Sequence, residues 1–75
     1  MTRLPQLTAK ELVSFLKAQG FEEDRRSGSH LTLWHEGRRT AVTVPAHTGC
    51  DIGRGLAVRI LRDAGFTVEE FLRLR

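Results

Sequence analysis

Two segments of this chain, LKAQGF at Leu16–Phe21 and LRDAGF at Leu61–Phe66, end in the same way. In each, a glycine follows a run with helical spacing, and a phenylalanine follows the glycine. Glycine can take the left-handed conformation just past a helix cap, which lets the phenylalanine fold back on the leucine five positions earlier in a Schellman arrangement. The likeness is read as shared capping chemistry; two short helix ends do not make a repeat. The starts are marked as well. Thr8 and Glu11 have the S/T-x-x-E form of a capping box, and Ala9, Leu12, Val13 and Leu16 then form one apolar face, so a first helix begins there and stops at Gly20. Thr67 and Glu70 repeat the box and open a short final helix through Phe71 and Leu72.

What lies between the helix signals reads as strand. FEEDRR, HLTLWH and RTAVTV are short runs separated by SGS and EGR, both turn signals, and three antiparallel strands joined by hairpins follow. Because side chains alternate faces, Leu31 and Leu33 point one way and His30, Thr32 and Trp34 the other, with Val42 and Val44 as core partners of the leucines. Pro45 cannot donate to a ladder and closes the third strand. PAHTGCDIG is a loop, and a second helix runs from about Ile52 or Gly53 to Ala64. The fold class is α+β: a three-stranded antiparallel sheet with helices on one face, because three short strands need such a cover.

At 75 residues the chain is expected to be a single domain, 1–75, of a size that buries about 60% of its unfolded surface. A composition 40% hydrophobic and 28% charged belongs to globular proteins. No stretch approaches the roughly 18 apolar residues of a membrane span, and MTRLPQLT lacks a signal peptide's apolar region, so the expected location is the cytoplasm. A single cysteine, Cys50, allows no intrachain disulfide and does not point to zinc. The net charge of +3 rests mostly on arginine, which can grip phosphate through two parallel hydrogen bonds. An anionic partner fits that charge; so does solubility alone.

Three places can carry chemistry. In the second helix Leu56, Ala57, Ile60, Leu61 and Ala64 form an apolar stripe, with Arg54, Arg59 and Arg62 grouped opposite as a basic strip or an ordinary solvated face. Its first turn, DIGRG, holds glycines that propensity disfavours. They would let an anion approach the unpaired N–H groups, unless packing against a strand requires them. His47 lies in the loop leading there. His30 opens a strand, faces away from the leucines, follows Gly28 and Ser29, which permit close approach, and shares its face with Trp34, an aromatic platform for a base. A histidine there can act as general acid or base on a phosphodiester, or be a polar residue on a solvated face. The chain has no P-loop, dinucleotide fingerprint, HExxH or acidic cluster suited to magnesium. Any phosphodiester cleavage is therefore expected to need no cofactor and no metal and to use the ribose 2′-hydroxyl as nucleophile, which limits the substrate to RNA.

GSH at Gly28–His30, VPAHTG at Val44–Gly49, IGRG at Ile52–Gly55 and ILRDAGFTVEEF at Ile60–Phe71 together resemble the HicA (YcfA-like) mRNA interferase toxins over nearly the whole chain. The resemblance implies a fold like the double-stranded-RNA-binding domain, α-β-β-β-α with a short C-terminal helix. It also implies a toxin of a type II toxin–antitoxin system that cleaves mRNA and arrests translation, and a HicB-type antitoxin that covers its site. It makes His30 the catalytic residue and aligns His47 with the family's VPxH histidine. Arg26, Gly28, Ser29, Trp34, His47, Arg54, Arg59 and Arg62 are the expected RNA contacts. Two positions depart from the pattern: Ser27 stands where a basic residue often precedes the glycine, a contact Arg25 or Arg26 can replace, and Leu56 follows Gly55 where threonine is usual. The second proton-transfer group stays open among His47, His35, Lys10, Lys17 and water. A non-catalytic RNA-binding module, or a domain that chiefly binds another protein through its open face, would use the same surface.

Overall fold

The computed structural model describes residues 4–45 and 51–75. The chain runs β1 (Leu7–Thr8), α1 (Ala9–Ala18), β2 (Glu22–Ser27), β3 (His30–His35), β4 (Thr40–Pro45), β5 (Asp51–Ile52), α2 (Arg54–Asp63) and α3 (Val68–Leu74). This is the α+β order anticipated, an antiparallel sheet β2-β3-β4 with helices packed on one side. One element is additional: β1 and β5 form a two-residue antiparallel pair, Leu7 opposite Ile52 and Thr8 opposite Asp51. Such a short pairing between distant segments leaves no periodic mark in the sequence.

Both capping boxes close. The Thr8 N–H donates to Glu11 Oε1 at 2.9 Å and the Glu11 N–H to Thr8 Oγ1 at 3.1 Å; Thr67 and Glu70 do the same at 2.8 and 3.0 Å. Both helix stops close too, Phe21 N–H donating to Leu16 O at 3.0 Å and Phe66 N–H to Leu61 O at 2.8 Å. Gly20 and Gly65 sit at φ of +103° and +92°, where an L side chain is strained.

The core lies between the helices and the inner sheet face. Leu31, Leu33, Val42 and Val44 meet Leu12, Phe15 and Leu16 of α1 and Ala57, Ile60 and Leu61 of α2. Phe15 is edge-on to both Phe66 (centroids 5.4 Å apart) and Phe71 (4.7 Å), which docks α3 against α1. α2 differs from expectation at Leu56, which is 44% exposed. At about 100° per residue it lies roughly 90° from the centre of the Ala57, Ile60, Leu61 and Ala64 stripe, too far round to reach the sheet.

The β3–β4 turn is bound to both helix ends. The His35 Nδ1 accepts the Arg38 N–H at 2.9 Å, so Nε2 carries the proton and donates to Gln19 O, the cap of α1, at 3.0 Å. The Arg38 Nη1 donates to Ala64 O at 3.2 Å at the end of α2, and its guanidinium stacks on Phe66. Both helices therefore finish at the β3–β4 turn, the end of the sheet away from the Gly28–Ser29 turn.

Candidate functional site

The register of the sheet decides which side chains share the uncovered face. Ser27 pairs with His30 and Arg25 with Thr32 across β2 and β3; Pro45, Thr43 and Ala41 stand opposite His30, Thr32 and Trp34 across β4. Paired residues point to the same side. The open face thus carries His30 at one end, the Thr32 and Thr43 hydroxyls 3.3 Å apart at its centre, and Trp34 at the other end. No helix covers it.

His30 is exposed and its ring makes no hydrogen bond among the described residues. The hairpin before it explains its neighbours. Gly28 has φ +60° and Ser29 is not at positive φ, the pattern of a type II′ turn, so the glycine serves the turn. A Cβ on Gly28 would meet nothing within 4 Å, so the same glycine leaves the space beside His30 open. Trp34 is half-buried, its indole N–H held by Glu36 Oε1 at 3.0 Å. It shares the face with His30, as expected, but four residues of strand place it about 13 Å away.

Arg26 does not join them. The turn is two residues, so Ser27 stands opposite His30, Arg25 shares its open face, and Arg26 falls opposite Leu31 on the helix side; the pairing then shifts between Glu23 and Arg25, where Asp24 is an extra residue. Arg54 also leaves the set foreseen for it. Its Nε donates to Leu4 O at 2.8 Å, tying the N-terminal segment to the start of α2. On the helix it lies about 70° from the core stripe, against roughly 150° for Arg59 and Arg62. Those two, with Gly55, Val58 and Asp63, line an open cleft of about 490 Å³ on the outer side of α2, and neither forms an ion pair among the described residues. That side points away from the sheet, so the arginine cleft and His30 occupy different faces.

The start of α2 carries the glycines singled out in the sequence. Its N-cap, Gly53, supplies no side-chain cap. A Cβ on Gly53 or Gly55 would meet nothing within 4 Å, and neither has positive φ, so close packing does not account for the glycines. α1, by contrast, starts in a closed capping box.

Three of the proton-transfer candidates are placed. His35 has both ring nitrogens engaged at the far end of β3. Lys17 pairs with Glu23 on the helix side. Lys10 is exposed on α1, away from the open face. His47 and Cys50 lie outside the described residues. No helix among the described residues is long and apolar enough to cross a membrane.

A family model described as HicA toxin of bacterial toxin-antitoxin matches residues 9–66 of the chain. No curated protein matches it.

Proposed function

The chain belongs to the HicA toxin family, and from that premise we propose that it is a cytoplasmic endoribonuclease that cleaves mRNA and arrests translation until a HicB-type antitoxin covers its open sheet face. Toxin membership follows from the family; the chemistry is our reading. The observation that carries it is the placement of His30, exposed and with its ring unbonded among the described residues, on the one sheet face no helix covers. An extended RNA strand can lie along that face, with the scissile linkage at His30 and a base of a neighbouring nucleotide on Trp34. Ser29 and the open space above Gly28 admit the backbone at the turn. The uncapped N–H groups of α2 offer an electropositive end to an anion. Arg59 and Arg62 attract RNA from their separate face, where they serve affinity and not the cut itself.

His30 takes the proton of the ribose 2′-hydroxyl as that oxygen attacks phosphorus. His47 or water returns a proton to the leaving oxygen. The test is incubation of purified protein with labelled RNA in the presence of a chelator. Wild type should yield 2′,3′-cyclic phosphate ends and His30→Gln intact RNA; equal RNA integrity with both would refute the proposal. A second reading, a non-catalytic RNA-binding module, is favoured by one observation: no described group orients the His30 ring as the base of a catalytic pair usually is. It predicts salt-sensitive binding without any cleavage.

A further inference from the structure

We infer that Arg25 holds the scissile phosphate beside His30, on the face where the two-residue Gly28–Ser29 turn places it. The inference rests on the ribonuclease reading above and supplies the group that reading lacks, a fixed positive charge where negative charge develops.

The geometry comes from the register of the β2–β3 hairpin. The two-residue Gly28–Ser29 turn pairs Ser27 with His30, and alternation back from it brings Arg25 opposite Thr32 on the open face and Arg26 opposite Leu31 on the other. The bulge at Asp24 acts further back, where it brings Glu22 instead of Glu23 to the open face. Arg25 and His30 are then diagonal cross-strand neighbours, roughly 7–8 Å apart at the backbone, which a long side chain spans. A phosphate between imidazole and guanidinium fits that interval.

The charges on the two faces differ in the same sense. On the helix side, Glu23 is hydrogen-bonded to Lys17, and that bond, followed by the charges of Lys17 and Arg26, holds its carboxyl below the ordinary carboxylate range. Arg26 therefore acts on an acidic neighbour. Arg25 is exposed and has no ion-pair partner among the described residues.

In the step itself the P–O2′ bond forms as the P–O5′ bond breaks. His30 accepts the 2′ proton, and the 5′ oxygen takes one from water. The hydroxide left behind then recovers the proton from His30. The products are a 2′,3′-cyclic phosphate and a 5′-hydroxyl, with no redox change. Arg25 stays charged throughout and donates two hydrogen bonds to the non-bridging oxygens.

The experiment is single-turnover cleavage of labelled RNA by the full chain in a chelator, comparing wild type, His30→Gln, Arg25→Ala, Arg25→Lys and Arg26→Ala. Arg25→Ala should cut about 10²-fold more slowly, the scale of losing one oxyanion donor, with Arg25→Lys between it and wild type. Guanidinium chloride well below denaturing concentration should restore part of the Arg25→Ala rate and none of the His30→Gln rate, a rescue that a merely structural role would not produce. Arg26→Ala should stay within about threefold of wild type. Cleavage by wild type with Arg25→Ala undiminished, or slow without rescue, overturns the Arg25 assignment and leaves the ribonuclease reading standing. No cleavage by wild type overturns that reading and the assignment with it.

Discussion

Replacing Gly20 by alanine should be among the most damaging single changes in this chain, and the damage should pass through His35. Gly20 has φ +103°, and a Cβ built there would stand 2.8 Å from His35 Nε2. An L side chain in the left-handed region costs roughly 1–2 kcal/mol. The imidazole cannot swing aside freely, because it is bonded to Gln19 O on one nitrogen and to the Arg38 N–H on the other, and its ring is edge-on to Phe21 at 5.0 Å. Displacing it forfeits at least one hydrogen bond, about 1 kcal/mol net. The sum is about 2–3 kcal/mol, against about 4–11 kcal/mol for a domain of this length at 0.05–0.15 kcal/mol per residue. That corresponds to a fall in Tm of roughly 10–20 °C. The assay is urea and thermal denaturation of wild type, Gly20→Ala, His35→Ala and the double variant. With the ring gone only the backbone share remains, so Gly20→Ala should cost about 1 kcal/mol less in the His35→Ala background. Additivity within about 0.3–0.5 kcal/mol would refute the steric coupling.

Further outcomes follow from other contacts. Hydrogen bonds from the backbone N–H and then the hydroxyl of Thr8 hold the Glu11 carboxyl below its ordinary range. A depressed folded-state value means that this contribution is full above the ordinary carboxylate range and is lost as pH falls through the depressed one. Tm measured from pH 6 down to pH 2 should therefore fall less steeply for Glu11→Gln than for wild type, and parallel curves would remove the capping box as the cause. Arg54→Ala should lower Tm by several degrees through loss of the Leu4 tether while leaving the salt slope of RNA binding unchanged, whereas Arg59→Ala or Arg62→Ala should reduce that slope by about 0.7 for single strands. A matching loss of slope for Arg54→Ala would place it among the phosphate contacts after all. Phe15→Ala removes the ring on which Phe66 and Phe71 both pack and should cost about 3–5 kcal/mol in urea unfolding; a loss under 1 kcal/mol would contradict the core described.

The parts of this fold visible in the sequence are those built from contacts a few residues apart. Thr8 with Glu11, Thr67 with Glu70, and Leu16 or Leu61 with the Gly-Phe that follows are local motifs, and each forms where the spacing places it. Alternation likewise sorted Leu31 and Leu33 from His30 and Trp34. The misses are contacts whose partners lie far along the chain. Arg54 looks like one member of a basic strip until Leu4 O is known to sit beside it, and His35 looks like a strand residue and Arg38 like a turn residue until two helix ends meet them. The choice between Arg25 and Arg26 is a miss of another kind. SGS read as a three-residue turn puts Arg26 opposite His30; the turn that forms is Gly28–Ser29 alone, so Ser27 takes that place and Arg25 shares its face.

The bonds that join the β3–β4 turn to both helices give this small molecule two unequal ends. At one, the turn and the last residues of α1 and α2 share side-chain hydrogen bonds, so a change in any one is felt by the others. At the other, the Gly28–Ser29 turn meets open space, and beyond the positive φ of Gly28 it asks little of the side chains around it for the chain to fold. Side chains of the open face can therefore vary at the His30 end while the far end keeps the architecture constant. Insertions of a residue or two should follow the same gradient, tolerated between β2 and β3 and ruinous between β3 and β4.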